Sequence, residues 1–138
     1  MTTPPERAVV DRLRASAEEA MSRAYAPYSG FRVGAALLGR DGSVFPGCNV
    51  ENAGYSSTIC AERTAVTSAV VRGVREFELL VLVTEADEPT PPCGVCRQVL
   101  VEFGLDLPVI SFARGREARW NLADLLPHPF TPASLGRV

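Results

Sequence analysis

Residues 78–84 constrain the fold of this chain more than any other segment. The centre of the segment is an unbroken run of aliphatic residues, Leu79-Leu80-Val81-Leu82-Val83. A strand with one face in water alternates apolar and polar residues, whereas an unbroken apolar run is typical of a strand covered on both faces. The run is also far too short to cross a bilayer. The segment therefore predicts a buried strand in a sheet that carries helices on both sides.

The flanking segments supply further helices and strands, which are recognised by apolar periodicity and turn residues. Candidate N-caps are Ser57 and Thr58 for the second helix and Asn121 for the last, and Gly73 is a helix stop. The predicted architecture is one α/β domain over residues 1–138, with a mixed sheet in three α/β/α layers. Helices are predicted over residues 6–25, 59–72, 93–103 and 121–126, and strands over residues 31–38, 43–50 and 107–113, with a short strand near 118–120.

Composition and charge narrow the functional class. At 138 residues, with 46% hydrophobic and 22% charged residues, the chain has the size and balance of one globular domain. Its formal net charge of -2 offers no basic field for a polynucleotide, so nucleic acid is not an expected partner. Residues 1–12 are polar and lack the apolar core of a secretory signal. We therefore expect a cytoplasmic protein with no membrane partner, in which the cysteines are reduced thiols or metal ligands.

Two short segments carry the strongest chemical signal, Cys60-Ala61-Glu62 and Pro92-Cys93-Gly94-Val95-Cys96. Both lie at the starts of predicted helices, where the partial positive charge of the helix end favours the thiolate. Cys93 and Cys96 are three residues apart and can bind one ion from one helix face. Zinc with three protein ligands keeps a fourth position for water, whereas structural zinc sites use four. The pattern predicts a Zn²⁺ held by Cys60, Cys93 and Cys96, with Glu62 free to move protons.

Several neighbouring residues allow more than one interpretation. Arg63 is either the counter-charge that donates to the thiolate sulfurs or a surface arginine of the helix. Cys48 could be the fourth ligand of a structural site, but its place at the end of an apolar strand favours a buried core thiol. A lone Cys-x-x-Cys can also be a redox pair or half of a zinc ribbon. His128, in a Pro-flanked loop, is expected to be structural rather than a ligand.

Four separated motifs, in the order of one known family, extend over nearly the whole chain. They are Tyr25-Ala26-Pro27-Tyr28-Ser29-Gly30-Phe31-Arg32-Val33-Gly34-Ala35-Ala36-Leu37, Gly47-Cys48-Asn49-Val50-Glu51-Asn52-Ala53, Thr58-Ile59-Cys60-Ala61-Glu62-Arg63-Thr64-Ala65 and Pro92-Cys93-Gly94-Val95-Cys96-Arg97-Gln98-Val99-Leu100, and Leu125-Leu126-Pro127-His128-Pro129-Phe130 continues the match. With these motifs the sequence resembles the small homotetrameric, zinc-dependent cytidine deaminases. The order of ligand, one residue, Glu and then Pro-Cys-x-x-Cys is the signature of zinc nucleobase deaminases.

The resemblance implies a hydrolase of pyrimidine salvage that converts cytidine and deoxycytidine to the uridines and releases ammonia. It implies one Zn²⁺ per subunit and attack of zinc-activated hydroxide at C4 of the pyrimidine, with Glu62 as the proton shuttle. It also implies a nucleoside as the small-molecule partner and a homotetramer whose sites are completed by neighbouring subunits. Two alternatives remain open: a deaminase of a modified aminopyrimidine nucleoside of the blasticidin type, and a non-catalytic zinc-stabilised module, which would not need Glu62.

The resemblance further implies a set of substrate contacts. The ribose hydroxyls would be bound by Asn49 and Glu51, which alternate along a predicted strand and so share a face. The implied contacts to the base are the backbone around Ala53 and Tyr55, Phe31 on the pyrimidine face, and Phe130 reaching into the site of a neighbouring subunit.

Overall fold

A computed structural model of the chain describes residues 4–136, so the first three residues of the polar N-terminal segment lie outside the described residues. The helices are α1 (Arg7–Ser22), α2 (Ala61–Val71), α3 (Gly94–Val101) and α4 (Leu122–Leu125), and the strands are β1 (Val33–Gly39), β2 (Val44–Cys48), β3 (Phe77–Thr84), β4 (Pro108–Ala113) and β5 (Arg116–Asn121). Two short 3-10 helices lie at Tyr55–Ser57 and Pro132–Leu135. Within residues 4–136 no helix is both long and apolar enough to span a membrane.

The five strands form one mixed sheet in the order β2-β1-β3-β4-β5. Only β3 and β4 are parallel, and every other neighbouring pair is antiparallel. The unbroken apolar run occupies β3 at the centre of the sheet, between β1 and β4, as the sequence predicts. A central strand has no free edge and is covered on both faces, which is why it tolerates no polar residue in its middle.

Alternate side chains of β3 enter two separate cores. Leu79 and Val81 pack with the buried face of α1, whereas Leu80 and Leu82 pack with residues of α2, α3 and α4. One helix therefore covers one face of the sheet, and three helices cover the other. This arrangement confirms the predicted α/β fold with a mixed sheet and helices on both faces. The site described below lies on the face that carries α2 and α3.

The predicted N-caps of the second helix are wrong. Ser57 ends a 3-10 helix, and Thr58 is already extended. Ile59 then exchanges two backbone hydrogen bonds with Val50, of 2.9 and 3.0 Å, in an isolated bridge. This pairing keeps the chain extended as far as Cys60, which is the N-cap of α2. A long-range backbone contact thus moves the start of the helix beyond its predicted position.

Other element boundaries differ less from the prediction. Asn121 caps α4 as expected, because its side chain accepts a hydrogen bond of 3.0 Å from the Ala123 amide. Gly73 follows α2 with a φ of +86°, a conformation that suits glycine at a helix stop. The last strand is longer than predicted, since β5 pairs with β4 over its whole length.

One glycine allows α2 to lie directly against the sheet. A Cβ at Gly47 of β2 would lie 2.3 Å from the Ala61 carbonyl oxygen and 2.6 Å from the Ala65 amide nitrogen. Contacts this short do not occur between real atoms, so a side chain here would displace the first turn of α2. Because Ala61 lies between Cys60 and Glu62, this close approach also positions the chemical groups of the site.

Candidate metal centre

The sulfur atoms of Cys60, Cys93 and Cys96 all lie within 4.8 Å of one another. The Cys60 and Cys93 sulfurs are 3.7 Å apart. Tetrahedral zinc with Zn–S bonds of about 2.3 Å separates neighbouring sulfurs by about 3.8 Å. Both the donor set and its spacing therefore fit a zinc ion. Three ligands leave one of the four positions for a water molecule or a substrate.

Two helix starts bring these three sulfurs together. Cys60 is the N-cap of α2 and Cys93 is the N-cap of α3, both with extended backbone and neither with a side-chain capping bond. An N-cap side chain projects past the end of its helix, so both thiols are free to meet a metal. Cys96 lies in the first turn of α3 and is fully buried. The positive ends of both helix dipoles therefore face the cluster, where they favour thiolates.

The cluster favours a thiolate at Cys60. The pKa of Cys60 is lowered to about 5, first by a hydrogen bond from Cys96 and then by one from Arg63, although burial opposes the shift. The pKa of Cys96 is raised, first by its hydrogen bond to Cys60 and then by burial. In the Cys60–Cys96 pair the proton accordingly stays on Cys96, the buried thiol. A thiolate is the form that a metal requires.

Arg63 turns toward the cluster rather than toward solvent. Its guanidinium donates to the Cys60 sulfur at 3.6 Å and to the Thr58 carbonyl at 3.1 Å. Its Nε atom is buried and has no hydrogen-bond partner among the described residues. The positive charge thus lies against a thiolate and offsets part of the negative charge that three thiolates would give the site.

Glu62 lies in the first turn of α2 and is only 5% exposed. Burial raises the pKa of Glu62 to about 7. The carboxylate is outside the three-thiol cluster and lines the same cavity as Cys60 and Cys93. It is therefore placed to exchange protons with a molecule in that cavity.

The cavity has a volume of about 270 Å³, just below the range of about 300–1,000 Å³ that is usual for small-molecule sites. It lies where the start of β1, the end of β3, the start of α2 and the segment before α3 meet. Its wall consists of Ser29, Phe31, Val33, Asn49, Glu51, Thr58, Cys60, Ala61, Glu62, Leu82, Thr84, Thr90, Pro91 and Cys93. A second cavity of equal volume lies beside Phe77 and Phe103, away from the thiols, so chemistry rather than size identifies the site.

Asn49 and Glu51 both line the cavity, although β2 ends before them. The Asn49 amide accepts from the Val33 amide at 2.9 Å and donates to the Phe31 carbonyl at 2.8 Å. An asparagine amide has four hydrogen-bonding positions, so one N–H and one lone pair remain for a ligand. Glu51 accepts from the Tyr28 and Ser29 amides, both at 3.0 Å, and from the Ser29 hydroxyl. The bonds from Ser29 lower the pKa of Glu51, which keeps it anionic.

Three residues implied as substrate contacts, Ala53, Tyr55 and Phe130, do not line the cavity of the single chain. Tyr55 is 77% exposed and packs edge-on against Tyr28, with ring centroids 6.2 Å apart. Ala53 is exposed in the same loop. Phe130 is 57% exposed, and its carbonyl accepts a hydrogen bond of 2.7 Å from Gln98. Within one subunit the structure does not bring these three residues to the thiols.

The structure also resolves the positions of two residues with open interpretations. Cys48 is half-buried rather than fully buried, because β2 is an edge strand and a groove remains between α1 and α2. Its sulfur does not belong to the three-thiol cluster. His128 is exposed in the bend after α4 and likewise lies outside the cluster.

Sequence reasoning missed the residues that shape the cavity without reacting. Ser29 holds Glu51 in place, and a serine within the Tyr25-to-Leu37 motif was the only available signal. Val33 and Thr84 line the cavity from paired positions on β1 and β3. An apolar strand pattern predicts that such residues are inside, but it does not predict which of them meet an opening.

A cluster of three thiols with one open position, beside a buried carboxylate and a cavity open to solvent, defines a zinc-dependent enzyme that activates water. The family model for the cytidine and deoxycytidylate deaminase zinc-binding region matches residues 9–111. The chain therefore belongs to the cytidine and deoxycytidylate deaminase family.

Individual relatives agree with this placement. A cytidine deaminase of Sporosarcina psychrophila is 46% identical over 128 residues, which are 91% of this chain and 94% of that protein. A crystal structure of cytidine deaminase from Burkholderia pseudomallei matches with a TM-score of 0.84 and 47% identity, over 87% of this chain and 98% of that one. A blasticidin-S deaminase of Bacillus cereus is more distant, with 29% identity over 107 residues, 72% of this chain and 76% of that protein.

Proposed function

We propose that this protein hydrolyses cytidine and deoxycytidine to uridine and deoxyuridine with release of ammonia. The observation that carries the proposal is the single cavity that joins the three-thiol cluster and Glu62 to Asn49 and Glu51. A nucleoside has a base and a sugar. The thiol cluster and Glu62 would act on the base, and Asn49 and Glu51 would bind the sugar. The relatives named above as cytidine deaminases support the same substrate class.

Cys60, Cys93 and Cys96 would hold the zinc, and Arg63 would offset the charge of their thiolates. When bound there, zinc supplies Lewis acidity toward a water molecule. Glu62 accepts a proton from that water at a carboxylate oxygen and delivers it to N3 of the pyrimidine. The same carboxylate then carries the remaining proton of that water from the oxygen bonded to C4 to the departing amine nitrogen. Overall, a C4–O bond forms, the C4–N bond breaks, and water and cytidine become uridine and ammonia.

The remaining cavity residues would select the substrate. Phe31 packs on the pyrimidine face, and Asn49 and Glu51 bind the ribose hydroxyls through their free hydrogen-bonding positions. Among the residues that line the cavity there is no lysine or arginine to meet a phosphate. The anionic carboxylate of Glu51 would repel a phosphate group. This charge distribution favours a nucleoside over a nucleotide.

The direct test is to incubate the purified protein with cytidine and to follow conversion to uridine by ultraviolet absorbance. We expect turnover by zinc-loaded protein, loss of turnover after metal removal and recovery when zinc is restored. Cytidine monophosphate is the matched control and is expected to react much more slowly. Folded, zinc-loaded protein that leaves both cytidine and deoxycytidine unchanged would contradict the proposal.

We also propose that the protein acts as one domain in a homotetramer, in the cytoplasm, where thiol ligands stay reduced. Six exposed apolar side chains lie close to the site residues. Tyr25, Val50 and Ile59 occupy bridged backbone positions beside Glu51 and Cys60, Tyr28 and Tyr55 pack against each other, and Phe31 lines the cavity. A cluster of this kind is typical of a protein interface. A second copy of the chain would cover it. Such a copy could bring Phe130, Ala53 and Tyr55 to the site of its neighbour.

Shared sites predict complementation between two defective variants. Glu62→Gln subunits keep Phe130, and Phe130→Ala subunits keep Glu62. In co-expressed mixtures some sites combine an intact Glu62 with an intact Phe130 from a neighbour. We expect such mixtures to be several-fold more active than either variant alone, and light scattering to give a mass near four subunits. No gain on mixing, or full activity in a monomer, would rule out sites shared in this way.

A further inference from the structure

The segment of residues 89–92, which leads directly into Cys93, has little backbone capacity to anchor itself. Three of its four residues are prolines, which have no N–H to donate. Thr90 and Pro91 nevertheless form part of the cavity wall. The backbone of this wall can therefore form hydrogen bonds only through its carbonyl oxygens and the single Thr90 amide.

Two side chains from different elements donate to these carbonyls. The Ser111 hydroxyl of β4 donates to the Thr90 carbonyl at 2.8 Å. The Arg97 Nε of α3 donates to the Pro92 carbonyl at 2.7 Å. The two bonds lie on either side of Pro91 in the sequence, so together they hold the segment that ends at Cys93.

Both donors are well suited to hold a backbone segment. Ser111 is fully buried, so its hydroxyl has no water to bind in place of the Thr90 carbonyl. The guanidinium of Arg97 also donates to the Leu125 carbonyl at 2.8 Å and thereby links the segment to the end of α4. The planar guanidinium holds its donors in a rigid arrangement, so the two carbonyls keep a defined separation.

We propose that Ser111 and Arg97 are positioning residues that hold the proline segment and, through it, the Cys93 sulfur in the geometry that zinc requires. Neither side chain lines the cavity or belongs to the thiol cluster. Both act through the backbone that precedes the ligand. The proposal rests on the ligand set given under the proposed function. It does not depend on which nucleoside is the substrate.

The test measures how fast zinc leaves the loaded protein for a chromophoric chelator. Ser111→Ala and Arg97→Gln are each expected to release zinc about 10-fold faster than wild type, the scale seen when a residue that supports a metal ligand is removed. Arg97→Lys can keep one of the two bonds and is expected to recover part of the loss. In cobalt-loaded protein the thiolate-to-metal charge-transfer band is expected to shift in Ser111→Ala and Arg97→Gln.

The control is Val10→Ala, which opens the core under α1 on the opposite face of the sheet. It is expected to lower thermal stability and to release zinc at the wild-type rate. If Ser111→Ala and Arg97→Gln also lower only thermal stability, the positioning role is wrong. Cytidine turnover of the wild type is measured in parallel. A wild type that binds zinc without deaminating cytidine contradicts the proposed function, whereas the release rates still decide the positioning role.

Discussion

Replacement of Glu62 by glutamine is expected to lower kcat for cytidine by about 10³-fold, the scale of a lost general acid and base. Glutamine has nearly the same size and can still form hydrogen bonds, but it cannot carry a proton between water and substrate. The protein should keep its fold, because the buried site disfavours a charged carboxylate and accepts a neutral amide. Steady-state kinetics, zinc content and the thermal midpoint together check the prediction.

Glu102→Gln is the matched control, since Glu102 is an exposed carboxylate at the end of α3. This variant is expected to turn over cytidine at the wild-type rate. Near-normal activity of Glu62→Gln would exclude Glu62 as the proton carrier. Loss of zinc from that variant would instead show that the carboxylate helps to hold the metal. The same substitution also separates an enzyme from a zinc-stabilised module, which has no use for a proton carrier.

Cys60→Ala is expected to lower zinc affinity by more than about 100-fold, beyond the effect of removing a residue that only supports a ligand. The remaining thiols of the cluster, Cys93 and Cys96, both belong to the start of α3 and supply only two ligands, so the ligand from α2 is lost. Because metal binding stabilises only the folded protein, the thermal midpoint should fall together with the zinc content. Metal analysis after dialysis against a mild chelator measures the first effect, and calorimetry measures the second.

Cys48→Ala removes a thiol of the same kind that lies outside the cluster, so it serves as the comparison. We expect this variant to keep the zinc stoichiometry of the wild type and to lose only modest stability from its half-buried position. If Cys48→Ala also lost the metal, the four-cysteine structural site would have to replace the three-thiol centre.

The regular elements of the fold follow largely from local sequence patterns. The central strand was predictable because an unbroken aliphatic run too short to span a membrane has few stable environments other than a strand covered on both faces. The cap of α4 was predictable because Asn121 bonds a backbone amide only two residues away. The start of α2 was not, since the pairing of Ile59 with Val50 depends on how a distant part of the chain folds.

The candidate site likewise has residues that local sequence patterns identify and contacts that only the fold determines. Cys60 and Glu62 are separated only by Ala61, and Cys93 and Cys96 share one helix start, so short motifs identified them as candidates. Asn49 was expected to bind the ribose hydroxyls. In the structure half of its amide's hydrogen-bonding capacity is taken by Phe31, just before β1, and by Val33, at the start of β1. No local pattern distinguishes a free amide from one that is already bonded.

The sequence by itself determined the α/β class, the central buried strand and the two short motifs that carry the three thiols and Glu62, because each is a pattern of residues within a few positions of one another. Only the tertiary structure decided where α2 begins, how Arg63 turns toward a sulfur, and which side chains hold the segment before Cys93. The Ser111–Thr90 and Arg97–Leu125 contacts join residues 21 and 28 positions apart. Such contacts are chosen by the packing of whole elements, since a donor can bond only the carbonyl that the finished fold places within its reach.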